Sequence, residues 1–203
     1  MKLKSIIIIF LAANFCLKFA FSSDCAGKEH EMSPEMAKAM ERMTPNEKHQ
    51  ILKQFVGNWE YTGTFKMSND APVQDMTGTM NNTMAYDGRF LKQVIEGPWM
   101  GSKFEGLGFT GYDNVREEFV TTWLDNMATG IMVSSGDYDA STKTLNLTGE
   151  HSCAMSGEKD RYYRSEWTLL DEDNSVYRSY TLDPTGEEFM TMEIKYTRKM
   201  ASE

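Results

Sequence analysis

From Gly57 onward, apolar and polar residues alternate along the chain, and turn residues interrupt the alternation about every dozen positions. Alternation with a period of two marks a strand with one buried and one solvated face, because successive side chains leave opposite sides of the pleat. Trp59, Tyr61, Gly63, Phe65 and Met67 share one face of the first segment, and Glu60, Thr62, Thr64 and Lys66 share the other. Met76, Gly78, Met80 and Met84 repeat the pattern in the second. Further strands are predicted near 89–97, 103–112, 118–125, 130–138, 143–151, 160–170, 175–182 and 187–198. Turns come from Asp87-Gly88, Asp113-Asn114, Asp139-Ala140-Ser141, Asp171-Glu172-Asp173-Asn174 and Asp183-Pro184-Thr185-Gly186. Antiparallel strands in this number, joined by short links, close on themselves, since closure removes exposed edges. The prediction is a mainly β protein: a single up-and-down antiparallel β-barrel of about ten strands.

Helical character is confined to residues 33–56. Ser33-Pro34-Glu35 is a start signal, with Ser33 as N-cap and Pro34 in the first helical position, and Met32, Met36, Met40 and Met43 then recur on one face. Thr44-Pro45-Asn46-Glu47 predicts a second short helix over about 45–55, with Thr44 and Glu47 as a capping box and Ile51, Leu52 and Phe55 on its apolar side. Glycines 97, 101, 106, 108 and 111 fall in or between the third and fourth strands, where they mark bends of a tightly curved wall. A phosphate-binding loop is not expected there, because no helix and no following Lys accompanies them.

The first residues read differently. Lys2 and Lys4 precede an apolar run from Ile6 to Phe15, and Ala20 and Ser22 stand at the small-residue positions of a cleavage before Ser23. This is the pattern of a secretory signal, and the run is short for a membrane span of about 20 residues. The expected organisation is a signal peptide over 1–22, a helical arm over 23–44, a barrel domain over 45–199 and a tail over 200–203. Secretion or a periplasmic location follows as an expectation, with no membrane association after signal removal.

Charge sharpens this picture. The 203 residues carry 21 Lys+Arg and 30 Asp+Glu, a net charge of −9; losing Lys2, Lys4 and Lys18 with the signal takes it to −12. An acidic chain without a basic run excludes nucleic acid, whose phosphates demand clustered cations. Removal of the signal leaves Cys25 and Cys153, which either pair or stay as free thiols.

The residues also carry a likeness. Glu47-Lys48-His49-Gln50-Ile51-Leu52 running into Val56-Gly57-Asn58-Trp59-Glu60, then Gly111-Tyr112-Asp113, Thr122-Trp123-Leu124-Asp125-Asn126-Met127, Gly136-Asp137-Tyr138-Asp139 and the closing Met192-Glu193-Ile194-Lys195-Tyr196-Thr197-Arg198-Lys199, resembles the domain of unknown function 1579 family over about residues 45–199. The resemblance implies a calycin-like (lipocalin-like) barrel with an interior pocket. It implies no reaction, because fold does not give function. Some related barrels hold haem through a His on a late strand; here the histidines are His30, His49 and His151, with none later, so haem is not expected and no cofactor is assigned.

Three functional readings emerge. The first is binding of a small apolar or amphipathic molecule inside the barrel without catalysis. Its candidate residues are Trp59, Met80, Met84, Arg89, Trp123, Asp125, Met127 and Arg164, which together offer aromatic walls, adaptable thioethers and anchors for a polar group. The second is an isomerase- or hydrolase-type enzyme with His49 and Asp125 converging at the barrel mouth. The third is copper handling by the exported arm, with His30, Met32, Met36 and Met40 as soft ligands. Gly-x-Ser-x-Gly, His-Glu-x-x-His and Cys-x-x-Cys motifs are absent from the sequence. Neither a ligand nor an oligomeric state is specified.

Overall fold

Ser33 caps the first helix, its hydroxyl accepting a hydrogen bond from the Met36 amide at 3.2 Å, and Pro34 opens the helix where its missing N–H costs nothing. The computed structural model describes residues 32–199. Helix α1 (Pro34–Met43) buries no residue, and Met32, Met36, Met40 and Met43 all stay exposed along it. The predicted signal segment, His30 and Cys25 lie outside the described residues, and with them the questions of cleavage and of Cys25–Cys153 pairing.

Helix α2 (Glu47–Leu52) starts two residues later than the Thr44 cap predicts, because Asn46 is the N-cap. The Asn46 side chain accepts from the Lys48 amide at 2.9 Å, and the Asn46 amide donates to His49 Nδ1 at 3.1 Å. His49 thus takes the place that Glu or Gln fills in most capping boxes. A 3-10 turn (Lys53–Phe55) follows and delivers Phe55, fully buried, into one end of the barrel.

Ten strands follow: β1 (Gly57–Phe65), β2 (Gln74–Ala85), β3 (Phe90–Trp99), β4 (Ser102–Asp113), β5 (Glu118–Asp125), β6 (Met132–Asp139), β7 (Thr144–His151), β8 (Arg161–Leu169), β9 (Asn174–Leu182) and β10 (Glu188–Arg198). Each pairs antiparallel with the next, and β1 pairs with β10, so the sheet closes as an up-and-down barrel. The predicted strand limits hold to within about two residues, as expected where alternation is strict. A register shift between Met190 and Met192 lets β10 follow the curve of the wall.

The α2 end is plugged. Phe55 packs on Trp167 with centroids 4.3 Å apart, and its carbonyl accepts from Trp59 Nε1 at 3.1 Å and Asn82 Nδ2 at 2.9 Å. Arg198 lies 4.1 Å over the Trp59 ring and donates to the carbonyls of Gln54 and Val56, tying the last strand to the turn before the first. Arg89 donates to the carbonyls of Met43 and Tyr86, and Asn114 donates to those of Arg42 and Thr44. The link between α1 and α2 is therefore held against two barrel turns. The outer wall is charged, with Arg164 paired to Glu166 and Glu188, and Arg178 to Glu193.

Candidate functional site

Strand direction assigns the ends. β1, β3, β5, β7 and β9 run away from the lid, so Phe65, Trp99, Asp125 and His151 lie at the other end. No helix crosses that end among the described residues. Aromatic side chains ring it: Phe65 meets Trp99 edge-on with centroids 5.4 Å apart, and Phe104 and Trp123 are half-buried beside them.

Glycine shapes the wall beneath. A side chain at Gly106 would collide with the Trp123 indole, and one at Gly108 would come within 3.1 Å of it. The indole therefore lies flat on bare β4 backbone and narrows the lumen less than a ring stacked on another side chain would. Asp125 fixes that pose: its Oδ2 accepts from Trp123 Nε1 at 2.9 Å, while Oδ1 accepts from the amides of Met127 and Ala128. Asp125 orients an aromatic wall and caps a turn.

Across the mouth, His151 meets Tyr163 edge-on at 5.4 Å, and its Nδ1 is buried without a hydrogen-bond partner. Burial and the nearby Arg161 charge both lower its pKa. Arg161 Nε donates to Thr181 Oγ1 at 3.2 Å, and its Nη1 donates to Cys153 Sγ at 3.5 Å. Burial pushes the Cys153 thiol up, but hydrogen bonds from Ser156, Arg161 and the Met155 amide outweigh it and bring it to about 7.

Between lid and mouth the inward positions carry no charge. Register places Tyr61, Thr110, Thr121, Ser134, Tyr163, Ser165, Tyr177, Ser179 and Tyr196 inside, together with Gln93. Thr110 bridges the Thr121 hydroxyl at 2.8 Å and Gln93 Oε1 at 3.0 Å. Tyr177 sits deep enough that burial pushes its hydroxyl up to about 12, against hydrogen bonds with Ser165 and Ser179. Yet Tyr177, Ser179, Thr121 and Gln93 are only half-buried although they point into a closed barrel.

These placements redistribute the residues proposed from sequence. Trp123 and Asp125 stand at the mouth. Met127 lies exposed on the rim turn. Trp59 and Met80 are buried core, and half-buried Met84 packs against that core near the lid. Arg89 clamps the α1–α2 link, and Arg164 stacks 3.7 Å over Tyr180 on the outer wall; neither enters the lumen.

The expected convergence of His49 and Asp125 does not occur. His49 is buried in the lid, 5.9 Å from the Tyr112 ring, and Tyr112 pairs with Phe119 at the start of β5. Asp125 ends the same strand, about 20 Å farther along at 3.3 Å per residue. Burial, with Arg89 adding to it, lowers the His49 pKa, so the ring is a neutral capping acceptor. Met32, Met36 and Met40 lie exposed on α1, and no group of three or more His, Cys, Asp or Glu able to hold a metal occurs among the described residues.

The tyrosines and hydroxyls of the lumen were missed from sequence. On β9 the inward set Ser175, Tyr177, Ser179 and Thr181 is no more apolar than the outward set Val176, Arg178 and Tyr180, so the alternation was visible but its direction was not. Pairing of Tyr177 with Ile194 and Trp167 decides it.

Fold and site together define a ten-stranded closed up-and-down barrel, plugged at one end by a short helix, with uncharged inward positions between its ends. The chain belongs to a family described as protein of unknown function (DUF1579), whose model matches residues 44–198. It is similar in structure to Rv2717c from M. tuberculosis, with a TM-score of 0.56 and 12% identity, over 77% of this chain and 100% of that one. A redesigned β-barrel, b11L5F_LGL, gives a TM-score of 0.39 and 13% identity over 74% and 96%. The first likeness supports the fold alone. No curated protein matches.

Proposed function

We propose that the protein is an exported carrier or sensor that binds a small, apolar or amphipathic molecule within its barrel and does not transform it. The observation that carries this reading is that Tyr177, Ser179, Thr121 and Gln93 point inward by register in a closed sheet yet are only half-buried, below an aromatic mouth. The plug at one end leaves the opposite end, which no helix crosses among the described residues, as the axial route for a ligand. Export to the exterior or periplasm rests on the Lys2–Ser22 pattern, and the ion-paired outer wall suits a barrel that faces water.

Native mass spectrometry of the purified protein, with thermal-shift titration by fatty acids, sterols and aromatic probes, tests the reading. Retained small-molecule mass or a saturable rise in melting temperature supports it. Absence of both across the panel refutes it.

A further inference from the structure

Methionine is among the side chains most often fully buried in proteins. On α1 it is not: Met36, Met40 and Met43 are between 50% and 66% exposed. Spacings of four and three residues put the three within about 60° of the helix circumference, at about 100° per residue. Glu35, Lys38, Glu41 and Arg42 fall on the opposite side of the helix. The stripe therefore presents thioethers and no charge.

Packing does not account for it. Among the described residues α1 buries no side chain, so these methionines fill no gap in a core. A helix of 10 residues is also too short to persist alone in water. Its ends are pinned instead. Ser33 caps the start. At the other end the Met40 and Glu41 carbonyls accept from the Thr44 hydroxyl and amide. Those of Arg42 and Met43 accept from Asn114 and Arg89 on two barrel turns. Each carbonyl of the last turn thus has a donor, and the helix is held by its backbone while the methionine side chains stay free.

We propose that Met36, Met40 and Met43 form a three-thioether site for a soft monovalent cation, Cu(I). Side chains at these spacings have Cβ atoms about 5–6 Å apart. The three rotatable bonds of methionine let the sulfurs turn toward one ion. Thioether sulfur is a soft, neutral donor that suits Cu(I), whereas Mg²⁺ and Ca²⁺ need oxygen ligands that the stripe lacks. Met40 and Met43 lie in the last turn, where the helix dipole favours a cation. Met32, exposed four residues before Met36, is available as a fourth donor. The site lies outside the barrel and is independent of ligand binding within it.

The test uses the purified protein with Cys25→Ser and Cys153→Ser, because thiolates would otherwise take the metal first. Ag(I), a redox-inert stand-in for Cu(I), is titrated while the isotope-labelled methionine methyl groups are followed by NMR. The Met36, Met40 and Met43 signals should shift first and saturate at one equivalent. Met67, Met100, Met127 and Met155, exposed singly on other loops, should stay in place. In anaerobic competition for Cu(I) against bicinchoninate, Met36→Leu, Met40→Leu and Met43→Leu should each lower affinity about tenfold or more. Leucine keeps the stripe apolar and helical, so the metal-free melting temperature should not change, and a stripe serving only as an apolar contact would not register these variants. A thioether has no proton to lose, so affinity should stay level from about pH 7.5 to about pH 5, where a histidine site would lose most of its metal. Equal, unsaturable shifts at every exposed methionine overturn the proposal. So does Cu(I) affinity that survives all three leucine changes, as a site at His30 would, and so does the absence of uptake by the protein with its methionines intact.

Discussion

Phe55→Ala tests whether the lid is part of the barrel's cooperative core. Phe55 is fully buried at the end of the 3-10 turn and packs on Trp167 at 4.3 Å. Truncation removes on the order of 150 Å² of buried apolar surface, worth about 4 kcal/mol at 25 cal/mol per Å². Large-to-small changes at aromatic core sites run at about 3–5 kcal/mol, cavity included, which agrees. The backbone carbonyl of Phe55 survives, so its bonds from Trp59 and Asn82 are not the quantity measured. Urea unfolding followed by tryptophan fluorescence should show one transition, with the unfolding free energy lowered by that amount. For a domain of this size the melting temperature should fall by about 6–20 °C. Phe55→Leu should recover more than half of the loss. A loss below about 1 kcal/mol, or a separate early transition with the main one unmoved, would refute the claim that helix and barrel fold as one unit.

Acid should loosen the same lid. The folded pKa of His49 is lowered by burial and by Arg89, so the folded state favours the neutral ring. Its stabilisation is therefore complete above the ordinary histidine value and is lost as pH falls through the lowered one. His49→Gln keeps an acceptor for the Asn46 amide and should flatten the acid limb of a stability–pH curve; an unchanged limb would assign it elsewhere. Arg198→Ala removes the cation over Trp59 and the ties to Gln54 and Val56, with an expected cost of about 2 kcal/mol in urea unfolding. Alkylation of Cys153 by iodoacetamide should rise through a midpoint near pH 7, and Arg161→Met should move that midpoint up. Gly106→Val should displace the Trp123 indole and weaken any aromatic probe tenfold or more while the barrel remains folded, read by calorimetry beside circular dichroism.

Alternation of side chains was enough to place all ten strands, because period two is a property of each strand alone and each turn announces itself with Asp, Asn, Gly or Pro. Closure followed from the strand count and the lack of long links. The helical arm was legible too, although its second cap was misplaced: Thr44 and Asn46 are both good cap residues, and the choice fell to the one whose side chain could also reach Asn114 at 2.8 Å across the lid.

What only the tertiary structure decided is who meets whom across the barrel. His49 and Asp125 sit on a helix and a strand that the sequence allows to meet, yet the direction of β5 sends them to opposite ends. Arg89 and Arg164 looked like anchors because charge type is visible in sequence, but the turn before β3 gives Arg89 to backbone carbonyls and the register turns Arg164 outward to carboxylates. Tyr61 and Tyr196 lie 135 positions apart and became neighbours through closure of β1 on β10. The physical reason is one of range. Hydrophobic period and turn chemistry act within a strand, whereas register and closure are fixed by packing summed over the whole sheet, and the lumen's chemistry depends on the second.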